Sequence, residues 1–561
     1  MVIFKSRQPP IDLPTNLTDW DWLFDSPYSP INNNPPSSLA GFQNAITKER
    51  LNWLDVKEAS TYISTALVKK YGLKEGQTIA LFGQNTVWYP VAMFAGLRVG
   101  AKISGASPAY NIEEMTFALK TADAKFLMTT PGSIEVAAAS AKAAGMPQSN
   151  IFLLEGSLPG YTTIQDLLKT GKSHGLSSQT PAFKIPPGQT NKDICGFLSF
   201  SSGTTGLPKA VMISHQNVIA QCLQIQQITP TTQKKVMAVL PLFHITGLVH
   251  QMHLPILLNA EVVMLPQFTM EKMLDIIVEY KLNELLMVPP ILIRLVRDPI
   301  VDKYDLSHIT RFSCGAAPLS EEIIQLLQKK FPGTGFKQGY GMTESCSCIT
   351  AHPPEKYAYK YAHSGGAIVA STEVRILKDD GTEGGVGESG EVLARGPQVV
   401  MGYLNNEKAT RETFDEEGWL HTGDLGMIDE EGMIHIQDRI KELIKVKGIG
   451  VAPAELEDLL LGHEKVEDVA VLGIRDDYSG ELPKAYVVLK QGIEVNRRAA
   501  RELIEFVKEK KVRYKWIREI EFCEEIPKSA SGKILRRVLR DKERGGKGKG
   551  LVVKDEEKAR L

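Results

Sequence analysis

Stretches of helical periodicity alternate with short apolar runs through the first part of this chain, and that alternation is what most narrows the fold. Residues 56–71 (VKEASTYISTALVKKY) place Ala59, Ile63, Ala66, Leu67 and Tyr71 along one face, the spacing of an amphipathic helix. Residues 77–83 (QTIALFG) then read as a buried strand, and 87–99 as a largely apolar helix. Comparable apolar runs recur at 124–130, 261–265 and 284–288. Alternation of this kind implies parallel sheets covered by helices. The first 45 residues, rich in Pro and Asn, are expected to wrap the surface as an arm.

The pattern changes after about residue 365. Residues 372–395 (TEVRILKDDGTEGGVGESGEVLAR) alternate over short strands joined by Asp380-Gly381 and other Gly-rich turns, which favours a small antiparallel barrel or sheet. Beyond Asp438-Arg439 a compact α+β unit is expected: a helix at 453–461, strands at 466–473 and 484–490, and a helix near 498–510. The glycine- and lysine-rich stretch 542–554 reads as a disordered tail. The expected class is therefore α/β with α+β. A large N-terminal domain of helix-covered sheets spans 1–437, with the small barrel near 366–437. A small C-terminal domain spans 438–540, and a flexible tail 541–561.

With 561 residues the chain can bury ample core. Lysine plus arginine number 65 against 66 acidic residues, so no global field recruits nucleic acid or an anionic membrane. The six cysteines follow neither a disulfide framework nor a paired zinc spacing, as in a protein of a reducing intracellular compartment. No signal peptide is expected from MVIFKSRQPP. The most apolar stretch, 236–258, is interrupted by Pro241, His244, His250, His253 and Pro255, which suits a buried segment better than a membrane span. Ala559-Arg560-Leu561 is conservatively related to the Ser-Lys-Leu peroxisomal address, so a peroxisomal location and an import receptor as partner are expected.

Two motifs carry the chemistry. Residues 199–209 (SFSSGTTGLPK) gather small hydroxyl residues and glycines into a loop able to surround phosphate oxygens with N–H and O–H donors. It is not a Walker loop, because Lys209 follows Pro208 and no Gly-Lys-Ser/Thr opens a helix. Residues 527–537 (PKSASGKILRR) put Lys533 on a glycine-flanked turn, a cation that can be swung toward an anion. Their separation suggests a site assembled between two domains.

These motifs, with 338–345 (QGYGMTES), 418–426 (GWLHTGDLG) and 438–448 (DRIKELIKVKG), resemble the ordered signature set of adenylate-forming enzymes: acyl-CoA synthetases, 4-coumarate–CoA ligases, beetle luciferases and peptide-synthetase adenylation domains. The resemblance implies a phosphate loop of Ser201, Ser202, Gly203, Thr204, Thr205 and Gly206, with Lys209 beside it, and nucleotide contacts from Gln338, Gly339, Tyr340 and Thr343. Glu344, with Thr204, would hold Mg²⁺ between phosphates. Gly315, Ala316 and Ala317 (in CGAAPL) would form a flat shelf against adenine and the acyl-adenylate, with Gly341 beside the acyl group. Asp424 and Arg439 would hold the ribose. Lys533 would bridge the substrate carboxylate and the α-phosphate, with His244 nearby.

By the same resemblance the small domain rotates at Asp438-Arg439 between two steps. Lys447 and Gly448 would then line a thiol tunnel, while Lys441 and Lys445 contact nucleotide or CoA phosphates. Thr246 and His250 fall where coumarate ligases carry a tyrosine and a serine against the acyl ring, and Gly450 replaces their usual glutamine. The implied function is an acid–CoA ligase using ATP, Mg²⁺ and CoA on a fatty or aryl acid. An adenylate-forming enzyme that passes its acyl group to a carrier protein or to oxygen is the alternative, and a degenerate nucleotide-binding module is the non-enzymatic one.

Overall fold

The computed structural model describes residues 2–201, 208–315, 317, 319–529, 532–545 and 550–555. Helix and strand alternate as the periodicity predicts. The helix Trp53–Lys69 is opened by a capping box in which Asn52 accepts from the Leu54 and Asp55 N–H groups. It packs beside the helix Trp88–Arg98, which is buried on every side. The strands Thr78–Phe82 and Ala124–Thr129 lie where the apolar runs place them.

An eight-stranded sheet runs in the order Gly402–Tyr403, Lys209–Ser214, Cys195–Ser201, Lys102–Ala106, Thr78–Phe82, Ala124–Thr129, Ile151–Leu153, Thr162–Thr163. The last six are mutually parallel, whereas Lys209–Ser214 pairs antiparallel on both sides. A second sheet orders Lys235–Ala238, Glu261–Met264, Gly41–Asn44 and Arg50–Asn52. A third orders Glu284–Met287, Arg311–Cys314, Gly335–Met342, Ser347–Ala351 and Ala367–Ile368, the first three parallel. The short antiparallel unit follows in the order Phe4–Lys5, Glu373–Leu377, Gly390–Arg395, Leu420–Ile428, Ile434–Arg439. The C-terminal α+β unit has a six-stranded sheet, with its own core of Ile444, Val469, Val487, Leu503 and Ile520. The architecture is thus a large N-terminal domain of helix-covered sheets with a small antiparallel unit, and a small α+β C-terminal domain.

Two expectations are corrected. The amino-terminal segment is not a surface arm: Trp20, Trp22 and Phe24 are at most 1% exposed within the main core, and Gly41–Asn44 is a strand of the second sheet. Aromatic burial overrides the Pro/Asn-rich composition around it. The tail is also structured in part. Lys542 lies in the helix Arg536–Arg544 and pairs with Glu521 at 2.7 Å, and Val552–Lys554 adds a strand beside Glu519–Phe522. Asp555 is held by Arg518 and Lys508 at 2.6 and 2.9 Å. Ala559, Arg560 and Leu561 lie outside the described residues.

The stretch 236–258 folds as the strand Lys235–Ala238, a π-helical segment Gly247–His253 and the helix Leu254–Leu257. No helix among the described residues is long and apolar enough to cross a membrane. All six cysteines are free thiols.

Candidate active site

The described ends of the phosphate-loop motif, Ser199–Ser201 and Lys209, lie on two paired strands. Cys195–Ser201 and Lys209–Ser214 pair antiparallel, with Ser201 opposite Lys209. Ser202, Gly203, Thr204, Thr205 and Gly206 fall outside the described residues, as does Ala316. Lys209 Nζ lies 4.6 Å above the Tyr403 ring, a cation–π contact that holds the amine at the start of its strand. The Tyr403 hydroxyl donates to Glu344 Oε1 at 2.9 Å. Burial, then the Glu344 charge, raise the Tyr403 pKa and keep that phenol protonated as a donor.

Glu344 follows the strand Gly335–Met342 on a single 3₁₀ turn, Thr343–Ser345. Its Oε2 has no partner among the described residues. One carboxylate with a spare oxygen, beside hydroxyl side chains, fits a Mg²⁺ that fills the rest of its shell with phosphate oxygens and water. Among the described residues no cluster of three or more His, Cys, Asp or Glu could hold a metal by itself.

Tyr340, Asp424 and Arg439 are brought together by sheet register. Asp424 stands opposite Arg439 in the pair Leu420–Ile428 and Ile434–Arg439. Arg439 Nε lies 3.1 Å from Asp424 Oδ1, and the Tyr340 hydroxyl donates to Oδ2 at 2.8 Å. Asp424 is only 3% exposed, and burial raises its pKa while Arg439, Tyr340 and Lys533 oppose the rise. Such a carboxylate can exchange a protein partner for a sugar hydroxyl without meeting bulk water.

Lys533 reaches this cluster from the C-terminal domain. Its turn is closed by Gly532 N–H to the Ser529 carbonyl and Ser529 N–H to the Lys533 carbonyl, both at 2.8 Å. Gly532 has φ +82°, and an added Cβ would lie 2.7 Å from Cδ and Cγ of Pro290 in the large domain. Glycine is therefore needed twice over, for its backbone angle and for the close approach. Burial, then the Arg439 charge, lower the Lys533 pKa to about 8, against the pull of Asp424, Glu344 and Glu442. His244 feels the same lysine: burial first and Lys533 second push it down to about 4, so its ring is neutral near pH 7.

Asp438 and Arg439 hold opposite domains. Asp438 is 7% exposed; its Oδ2 accepts from Ala454 N–H at 2.9 Å at the start of the helix Pro453–Leu461, and its Oδ1 from Arg439 N–H at 2.6 Å. Burial raises its pKa. Arg536, three residues past Lys533, pairs with both oxygens of Glu457 on that helix at 2.6 and 2.7 Å.

On the acyl side, the Thr246 N–H meets His244 Nδ1 at 3.4 Å. His250 Nε2 lies 3.0 Å from Ser347 Oγ and 4.0 Å from Cys348 Sγ, and burial lowers its pKa to about 3. A Cβ on Gly341 would overlap the Ser347 carbonyl, while one on Gly315 would meet open space. Gln338 faces away: its amide donates to the Ala362 carbonyl, and its N–H to His352 Nδ1 at 3.1 Å. Gly339, expected to touch nucleotide, turns to the strand face opposite Gln338, where a Cβ would lie 3.5 Å from Cys348 Sγ. Lys441, Lys445, Lys447 and Gly448 are exposed, the last three on or between the strands Ile444–Val446 and Ile449–Val451. Sequence reasoning missed Tyr403, Glu457 and Arg536, whose contacts are all non-local.

The sequence profile of AMP-binding enzymes matches residues 38–404, and that of the AMP-binding enzyme C-terminal domain matches 455–533. The chain is 34% identical over 550 residues to a 4-coumarate–CoA ligase of Narcissus pseudonarcissus, covering 96% of each. It is 37% identical over 488 residues to a probable 4-coumarate–CoA ligase of Dictyostelium discoideum, covering 84% of this chain and 87% of that one. An anthranilate–CoA ligase in complex with anthranoyl-AMP superposes with a TM-score of 0.83 at 24% identity, over 95% of this chain and 99% of the other. An o-succinylbenzoate–CoA synthetase of Bacillus subtilis, in complex with its acyl-adenylate, gives 0.75 at 25% identity over 94% and 99%. Profile, relatives and fold agree, and the chain belongs to the AMP-binding, adenylate-forming enzyme family.

Proposed function

We propose that this protein is an AMP-forming acid–CoA ligase acting on a fatty or aryl carboxylic acid. The observation that carries the reading is Lys533, delivered by the small domain into the charges of Asp424, Arg439 and Glu344, next to neutral His244. In the first step a carboxylate oxygen bonds to the α-phosphorus of ATP and the bond to the β-phosphate oxygen breaks, giving acyl-AMP and pyrophosphate. Two anions must meet, so a preorganised cation at that point lowers the barrier. Lys209 and the hydroxyls of Thr204 and Thr205 would hold the departing phosphates. Asp424 and Arg439 would hold the ribose. Bound Mg²⁺, held by Glu344 and Thr204, supplies further neutralisation of phosphate charge.

In the second step a CoA thiolate attacks the acyl carbon and AMP leaves with the electron pair. Lys533 would vacate the thiol's approach on a rotation at Asp438-Arg439, and that rotation would bring in the face carrying the exposed Lys445, Lys447 and Gly448. Peroxisomal residence, through Ala559-Arg560-Leu561, and a place in fatty-acid metabolism belong to the same proposal. A fluorescent fusion lacking those three residues then stays cytosolic.

The test separates the half-reactions. Lys533→Ala loses about 10²–10³ in acid-dependent pyrophosphate exchange, the cost of one preorganised donor, while preformed acyl-AMP still yields thioester. Equal loss in both half-reactions refutes the assignment. AMP release that does not respond to CoA points to a different acceptor.

A further inference from the structure

The strand Gly335–Met342 has two unlike faces. Phe336 and Gln338 turn to the helix-covered side and are buried. Lys337 turns the other way, with Gly339 and Gly341, onto the acyl face described above. Register places it in a row across three strands, Leu286–Ser313–Lys337, and all three are half-buried.

The surroundings of this lysine are finished on both sides and leave it out. At the start of the strands Arg311 pairs directly with Glu284, the carboxylate whose charge also reaches Lys337 without a hydrogen bond to it. The Arg311 guanidinium lies 4.4 Å from the Tyr357 ring, and the Tyr357 hydroxyl donates to the Ile228 carbonyl at 2.9 Å. In the other direction, the missing Cβ of Gly339 would stand 3.5 Å from Cys348 Sγ, beside His250. Lys337 Nζ has no hydrogen-bond or ion-pair partner among the described residues. Burial, then the Arg311 charge, lower its pKa to about 8, which leaves it mostly an ammonium near pH 7. A half-buried ammonium that feels only the shared charge of Glu284 and makes no direct ion pair costs the fold free energy, and a methionine of similar length would sit there without that cost.

The same strand carries the reacting end of the site at its far terminus, since Thr343 and Glu344 follow Met342 directly. Four residue steps lead from Lys337 to Gly341, roughly 13 Å of strand. An acid whose carboxylate lies by His244 and Gly341 therefore runs back along the glycines toward Lys337.

We propose that Lys337 sets the specificity of the acyl pocket by holding an oxyanion at the far end of the substrate, so that the acid carries a second, distal carboxylate. This rests on the ligase reading above. Ser313, beside Lys337 in register, is placed to share the same group. A charge-assisted bond of this kind corresponds to about 10- to 100-fold in kcat/KM between matched acids.

The experiment measures ATP- and CoA-dependent AMP release with suberate and azelate against octanoate and nonanoate, on the full chain and on Lys337→Met, Lys337→Gln and Lys337→Arg. The wild type is expected to prefer the dicarboxylates by at least about tenfold. Lys337→Met should invert that order, Lys337→Gln should abolish it, and Lys337→Arg should retain part of it. Thermal melts should place Lys337→Met at or above the wild-type Tm, whereas a merely structural lysine would melt lower on removal. Preference of the wild type for the monocarboxylates, or a ratio unmoved in Lys337→Met, overturns the proposal and leaves the ligase reading intact. Failure of every carboxylate to drive AMP release overturns both.

Discussion

Gly532→Ala probes the docking of the catalytic turn without touching a charged group. The added Cβ would lie 2.7 Å from two ring carbons of Pro290, against roughly 3.5–4 Å for relaxed carbon contacts. The turn must withdraw by about 1 Å, at a cost of about 1–3 kcal/mol for overpacking. That energy is charged only where the small domain rests on Pro290, and corresponds to about 5- to 150-fold in the docked population. A second cost, about 1–2 kcal/mol for a non-glycine residue at φ +82°, belongs to the turn itself and acts in any domain arrangement. Pyrophosphate exchange should therefore fall about 5- to 150-fold while thioester formation from preformed acyl-AMP changes only a few-fold. Pro290→Ala in the same chain should recover much of the loss, giving a coupling energy in the double-mutant cycle. Equal effects on both half-reactions, or strictly additive effects of the two substitutions, would refute the contact as the cause.

The remaining predictions concern pH and the core. With Lys533 at about 8, kcat/KM for adenylation should fall as pH rises through 8, because the neutral amine no longer offsets the meeting anions. Its folded pKa lies below the unfolded value near 10.4, so the unfolded chain binds that proton more tightly. Lys533 therefore contributes stability that grows as pH rises from about 8 to 10, read as a rising urea midpoint that Lys533→Met removes. His244, at about 4, should add no inflection near pH 6.5; a limb there that vanishes in His244→Asn would contradict its neutral state. Trp22→Ala should cost about 3–5 kcal/mol, read by urea unfolding of the full chain, because the ring is fully buried; a change under about 1 kcal/mol would restore the surface-arm view of this segment.

Much of the fold could be read from periodicity. The helix Pro453–Leu461 and the strand Thr78–Phe82 sit where the apolar spacing puts them, because their local preference and their burial agree. The segment around Trp20–Phe24 misled because its prolines and asparagines speak for loops, while three large rings within five residues decide where it lies. The tail misled in the same way: Lys542, on the helix Arg536–Arg544, pairs with Glu521, and the strand Val552–Lys554 pairs with Glu519–Phe522 despite its lysine-rich composition. At the site, residues inside short motifs (Tyr340, Asp424, Arg439, Lys533) were legible because each motif has a fixed spacing. Tyr403 was not, since nothing local ties it to Lys209 or Glu344. Lys337 was hidden for a different reason. Adjacent to QGYGMTES, it looks like any strand lysine until register shows which side it faces.

The paired grips at residues 438 and 439 bear on how freely the two lobes can turn. One backbone bond separates a carboxylate fastened to the small lobe from a guanidinium fastened to the large one. A swivel built this way has a detent, because the joint cannot pivot far on the large-lobe side while Arg439 still clasps Asp424. A ribose competing for Asp424 would loosen that catch from within, so the cargo itself would help decide when the joint is free to move.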